Sequence, residues 1–202
     1  MQDLTPACQN DSMPADNQKE LPVRHNIDLS LVVAMTPERV IGRNTVLPWH
    51  LPSDLERFRA ITTKAGTVVM GRITHESILS RNSTPLPERH HIVLTRKPLP
   101  VWMDSPESVT AVASIEETLA LIKKRGGSAC VIGGAQIYEQ FFPFVRTLFV
   151  TTVYASIEGD AFFLCPFDGA DWKCTDSSGP LLRHARDDHK TSFDVYQRVV
   201  HP

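Results

Sequence analysis

Apolar positions along the chain fall into short unbroken runs and helix-spaced stripes that alternate. Leu29 to Ala34 is a run of strand length, the pattern of a strand buried on both faces. Met35 to Leu51 follows with Gly, Asn and Pro and reads as a long loop. Pro52 suits a first helical position, and Leu55, Phe58 and Ile61 mark an apolar face, which predicts a helix to about Thr63. Thr67 to Met70 reads as a second strand ending at Gly71-Arg72, after which Thr74 can cap a short helix to about Leu79. Ser80 to Pro87 is polar and Pro-containing, a loop. His91 to Thr95 is a third strand, followed by a Pro-rich linker from Pro98 to Pro106.

Ser114-Ile-Glu-Glu117 has the form of a capping box and opens a helix to about Arg125, with Leu119 and Ile122 turned inward. Ala129 to Ile132 is another buried strand, Gly133-Gly134 a turn, and Ala135 to Phe142 a helix. Leu148 to Val153 is a strand; Trp172 to Thr175 and Ser192 to Val199 look like a closing antiparallel pair. The alternation predicts an α/β fold: a mostly parallel central sheet flanked by helices, with an antiparallel C-terminal strand pair.

Met1 to about Asn26 departs from this pattern. It is rich in Asp, Asn, Gln and Pro, has no apolar periodicity, and reads as a disordered or loosely docked tail before a domain spanning 27–202. Its acids argue against a transit peptide. Net charge is -2, which gives no drive toward nucleic acid or an anionic membrane. No apolar run approaches the roughly 18 residues of a spanning helix. Cys8, Cys130, Cys165 and Cys174 show neither disulfide-framework nor zinc spacing, so a reducing cytoplasm is the expected setting. Cys130 sits in an apolar strand, as an inert core residue does. His50, His75, His90 and His91 lack metal-ligand spacing, so no metal is expected.

Asp54 is the leading candidate for proton chemistry. A first-turn acid is favoured by the helix dipole alone. Here Leu47, Trp49, Leu55 and Phe58 would also desolvate it and raise its pKa above the ordinary value of about 3.9. Gly133-Gly134-Ala135-Gln136 stands between a buried strand and a helix, where glycines let phosphates approach backbone N–H groups. Gly71-Arg72-Ile73-Thr74 repeats that arrangement with a cation. Thr95-Arg96-Lys97 ends a third strand with two positive charges suited to a ribose phosphate. The usual GxGxxG and P-loop fingerprints are absent.

Taken together, these blocks resemble dihydrofolate reductases. Val40-Ile41-Gly42, four residues, then Leu47-Pro48-Trp49 looks like that family's signature. Leu51-Pro52-x-Asp54-Leu55-x-x-Phe58, Val69-Met70-Gly71-Arg72-x-Thr74, Leu86-Pro87-x-Arg89 and Val131-Ile132-Gly133-Gly134-Ala135-x-Ile137-Tyr138 follow in order. Glu158-Gly159-Asp160 and Phe193-Asp194-Val195-Tyr196 also fit, so the resemblance covers about Ile27 to Val200.

The resemblance implies NADPH-dependent reduction of 7,8-dihydrofolate by a cytoplasmic monomer that binds antifolates. It makes Asp54 the single active-site acid, supported by Thr151, with Val32, Val33, Ala34 and Phe58 walling the pterin. Leu55 would touch the aminobenzoyl ring, and Arg89 would hold the glutamate α-carboxylate. Ile132 and Tyr138 join the substrate side. Leu47 and Trp49 would lie on a mobile loop over the nicotinamide, with Ala34, Ile41, Gly42 and Ile132 beside it. Gly71, Arg72, Ile73, Thr74, Thr95 and Arg96 would take the adenosine phosphates, Arg72 and Arg96 the 2′-phosphate. Gly133, Gly134, Ala135, Gln136 and Ile137 would complete the cofactor site, with a cis Gly133–Gly134 bond.

The chain departs from the family at His75, where many relatives carry Trp, and at Ala135 and Ala161. Two other readings stay open at this stage: the pyrimidine reductase of riboflavin synthesis, which shares the fold, and a non-catalytic NADPH-binding protein. Asp54 and Arg89, each following a Leu-Pro, favour folate over the ribosyl phosphate of the former.

Overall fold

The computed structural model describes residues 27–97, 107–167, 169–178 and 183–199. The tail to Asn26 and the Pro98 to Pro106 linker lie outside them.

The apolar run near the start becomes β1 (Asp28–Met35), the middle of an eight-stranded sheet. Its order is β5 (Val109–Val112), β4 (His90–Leu94), β3 (Thr67–Gly71), β6 (Ser128–Gly133), β1, β7 (Thr147–Tyr154), β10 (Lys190–Arg198) and β9 (Trp172–Ser177). The pairs from β5 through β7 are parallel, whereas β10 runs antiparallel to both β7 and β9. The expected class and the closing strand pair are both present.

Parallel strands need crossovers, and helices supply them. They are α1 (Pro52–Ala65), α2 (Arg72–Asn82), α3 (Ile115–Lys124) and α4 (Ala135–Phe141), the last running into a 3₁₀ turn at Phe142–Phe144. The sheet separates two apolar layers. Leu29, Leu31, Val33, Ile122, Ile137 and Phe141 pack on one side. Val32, Val68, Met70 and Val93 pack on the other, with Phe58 and Ile61 of α1 laid against them. Each such buried side chain contributes about 1.5–3 kcal/mol. Continuous apolar strands were readable for this reason: both of their faces are covered.

Several boundaries differ from the sequence reading. Thr74 does not cap α2; the helix starts at Arg72 directly from the extended Gly71. It also runs on through Ser80, Arg81 and Asn82, polar residues that read as loop, and stops at Ser83 with φ 62°. β5 was not anticipated beside the Pro-rich linker. The long Met35–Leu51 loop contains a further strand, β2 (Val40–Gly42), paired with β8 (Ala161–Phe162). These strands are two or three residues long, too short for alternation to register. On α1 the side chain of Leu55 is 42% exposed rather than buried, and among its residues only Thr62 is fully covered. Ser114 caps α3 as expected, with Glu117 N–H donating to Ser114 Oγ at 3.1 Å, while Glu117 Oε2 reaches one residue past the cap and accepts from Ala113 N–H at 2.8 Å.

Candidate active site

The C-terminal ends of β1, β3, β4 and β6 open onto one cleft of about 1370 Å³. Ligand sites in parallel sheets form at such strand ends. Asp54 enters it from the first turn of α1. That helix has no capping side chain at Leu51, and Pro52 carries no N–H. A cap comes instead from the β9–β10 loop: Asp187 Oδ1 accepts from Ser53 N–H at 3.1 Å, and Asp187 Oδ2 from Ser53 Oγ–H at 2.5 Å. Next to it, Asp188 exchanges two bonds with the main chain of His50, at 2.9 and 3.0 Å.

Thr151 Oγ–H donates to Asp54 Oδ1 at 2.6 Å, a short charge-assisted bond. Arg57, one turn along α1, places Nη1 3.3 Å from the same oxygen. Burial raises the Asp54 pKa; Thr151 and then Arg57 oppose the rise, and Asp187 adds to it. The expected direction of the shift therefore holds. Leu47 is 39% exposed, and Trp49 packs with Leu51 and Val153 in a small core of its own. Trp49 is off the main cleft, in a side cavity of about 400 Å³ that also touches Leu47 and Asp54. Thr151 is fully buried behind Asp54 rather than on the cleft wall.

Val32, Val33, Ala34, Phe58 and Ile132 line the cleft around Asp54, and Leu55 lies on its rim. Tyr138 also lines it, and its hydroxyl donates to Val32 O at 2.9 Å, locking α4 to β1. Arg89 is 6% exposed, far from the solvated charge its loop suggests. Its Nε–H donates to Pro87 O at 2.8 Å and an Nη1–H to Thr62 Oγ at 2.9 Å, so its plane is fixed where it meets the cleft.

Further along, Gly71, Arg72, Ile73 and Thr74 share the cleft with Gly133, Gly134, Ala135, Gln136 and Ile137. The Gly133–Gly134 peptide is cis. Gly133 has φ 119°, and a Cβ there would come within 3.2 Å of the Tyr138 hydroxyl. A Cβ on Gly71 would meet Ile137 at 3.1 Å. Neither α2 nor α4 has a side-chain cap, so their first N–H groups remain for a ligand. Arg72 is ion-paired with Glu76 rather than bare. Thr95 Oγ–H donates to Lys97 O, which folds Thr95, Arg96 and Lys97 into a turn at the cleft edge.

Ile41 and Gly42 complete the wall beside the loop. That loop is pinned by Asp160, whose carboxylate accepts from Asn44 N–H at 3.0 Å and whose N–H donates to Gly42 O at 3.1 Å.

A spacing-only reading of the sequence missed Arg57, although its position three residues after Asp54 is the spacing at which helical side chains meet. Nothing local announces Asp187, which is 134 residues from its partner.

The sequence profile of dihydrofolate reductases matches residues 28–198. The chain belongs to the dihydrofolate reductase family. Dihydrofolate reductase HdrB of Haloferax volcanii is 40% identical over 174 residues, covering 83% of this chain and 82% of that protein. The dihydrofolate reductase of Bacillus subtilis is 38% identical over 172 residues, covering 84% and 94%. Among solved structures, the Enterococcus faecalis dihydrofolate reductase complexed with NADP(H) and RAB-propyl superimposes with a TM-score of 0.72. It is 32% identical, and the match covers 85% of this chain and 96% of that one.

Proposed function

We propose that the chain reduces 7,8-dihydrofolate to 5,6,7,8-tetrahydrofolate with NADPH, through the residues gathered in this cleft. The observation that carries the reading is the buried Asp54 carboxylate, held by Thr151 in the same cleft as Arg89 and the glycine turns. The glycine turns suit the cofactor: a side chain would crowd Ile137 at Gly71 and strain the backbone at Gly133, and uncapped helix N–H groups stand ready for phosphate.

Bound NADPH would supply the hydride for C6 of the pterin while N5 takes a proton, which reduces the N5–C6 double bond. Asp54 grips the pterin amino group and ring nitrogen. As a carboxyl with a raised pKa it favours protonation at N5 through a water. Val32, Ala34 and Phe58 exclude bulk water from the ring. Arg89 holds the glutamate α-carboxylate; its anchored plane means little rotational freedom is lost on binding. Leu47 on the pinned loop covers the nicotinamide side with Ile41 and Gly42. Arg96 and Arg72, the latter paired with Glu76, would hold the 2′-phosphate. Ala135, Gln136 and Ile137 border the diphosphate and Thr74 the adenosine side.

We further take 27–202 as one domain with 1–26 outside it, acting as a cytoplasmic monomer that binds antifolates. The family match to 28–198 supports the domain boundary; no described helix is long and apolar enough to cross a membrane. Incubation with NADPH and dihydrofolate should consume reduced nicotinamide, read by its absorbance. Folded protein that gives no turnover would sink the reading.

A further inference from the structure

His75 on α2 and His91 on β4 lie fully buried against each other, Nδ1 to Nδ1 at 3.2 Å, with rings 75° apart. Neither belongs to the catalytic set described above. The other nitrogen of His91, Nε2, accepts from the Leu86 main-chain N–H at 3.0 Å. An amide N–H can only donate, so that nitrogen carries no proton. The His91 proton is therefore on Nδ1, and it is given to Nδ1 of His75, whose own proton is then on Nε2. Burial above all pushes His91 down to about 3, so its ring stays neutral near neutral pH.

Leu86 opens the segment that ends at Arg89. Glu88 within it has φ 63°, a left-handed conformation that costs a non-glycine residue energy and needs outside support. Arg89 itself leans on this segment, through Pro87 O, and on Thr62 Oγ, which in turn donates to Phe58 O at 2.7 Å. Among the described residues, His91 Nε2 is the side-chain acceptor that meets this segment's main chain, at Leu86 N–H.

We infer that His91, backed by His75, is a positioning pair that fixes the Leu86–Arg89 segment and so aims the Arg89 guanidinium at the carboxylate tail of the substrate. This rests on the reading of Arg89 as the tail holder. The pair touches no reacting atom, so it acts on binding of the tail and not on hydride or proton transfer.

The test compares dihydrofolate with 7,8-dihydropteroate, which lacks the glutamate. His91→Leu removes the acceptor and should raise KM for dihydrofolate about tenfold, the scale of one buried hydrogen bond, with kcat and the dihydropteroate KM changed less than about twofold. His91→Gln keeps an acceptor at that reach and should recover most of the loss. His75→Phe leaves the His91 Nδ1–H without its acceptor and should give a smaller change of the same kind. Equal losses on both substrates, or a fall in kcat alone, would overturn the inference in favour of general loosening. Arg89→Ala serves as the reference. If it shows tail-specific loss and His91→Leu does not, the relay is wrong and the Arg89 reading stands. If Arg89→Ala does not discriminate the substrates, both fail. Should the His91 variants not fold, ¹⁵N spectra of the wild-type histidines decide: an Nε2-protonated His91 overturns the relay.

Discussion

Arg57→Met removes the cation beside Asp54 while keeping an unbranched apolar stem. The guanidinium Nη1 is 3.3 Å from Asp54 Oδ1, and the two side chains are 26% and 17% exposed. Unit charges at that distance attract by about 1.3 kcal/mol in water and about 5 kcal/mol at an effective dielectric of 20. Partial exposure and the cost of ordering Arg57 bring the net toward the lower figure, about 1 kcal/mol, or roughly fivefold in the acid constant of Asp54. Burial already holds that carboxyl up, and Arg57 acts against the rise, so its loss should let Asp54 keep its proton to higher pH. Thr151→Val should move it further in the same direction, because the hydrogen bond outranks the charge. Asp187→Asn should move it the opposite way. The assay is a ¹³C titration of the Asp54 carboxyl in the ligand-free protein, assigned with Asp54→Asn, and the pH profile of kcat/KM should follow it. Arg57→Met also gives up the cation stacked 4.3 Å from the Phe193 ring, so stability is checked first. An Asp54 titration that stays put or falls in Arg57→Met would refute the reasoning.

Asp54→Asn should lose roughly 10²–10⁴-fold in turnover at neutral pH and yet melt higher without ligands. The folded carboxyl is raised, so the native state binds the extra proton, and stability drops as pH climbs through that window; above it the charge is a cost that Asn removes. A lower melting temperature in calorimetry at pH 7 would contradict this. His91 has the opposite sign: depressed to about 3 from 6.5, it contributes stability fully above 6.5 that is lost as pH falls toward 3. Denaturant titrations at pH 7 and pH 4 should therefore diverge less in His91→Gln than in wild type. Gly159→Ala would put a Cβ 2.6 Å from Gly42 O and against Val40 Cγ1, so β2 must shift. Activity should drop several-fold with little change in far-UV dichroism, and unaltered kinetics would show that the loop is not held as described.

What was legible in the sequence follows from how local its cause is. The apolar runs of β1, β3 and β6 announce themselves because both faces are covered. Asp54 announces itself through Pro52 and the helical stripe. β2 and β8 do not, because their pairing joins short segments about 120 residues apart in a register no single segment encodes. Arg89 is a loop residue by composition and a buried one in fact, since its covering comes from Thr62 and the Leu86–Pro87 turn. Thr151 stood out only through the family resemblance, by its place in the Leu148 to Val153 strand, and the bond it makes is visible only with β7 and α1 brought together.

The cap on α1 also sets an order of events. Synthesis runs from the N-terminus, so the helix bearing the acid leaves the ribosome well before the aspartate that closes its first turn, 134 residues downstream. Contacts of such sequence separation form late because they close a long loop. A nascent chain ending before β9 would already carry Asp54, Arg89 and both glycine turns, with the parallel sheet able to pair. It would lack Asp187 on Ser53 and Asp188 on His50. The first turn that carries Asp54 is thus capped only when the final hairpin docks, although Thr151 and Arg57, which touch the carboxylate itself, are made earlier.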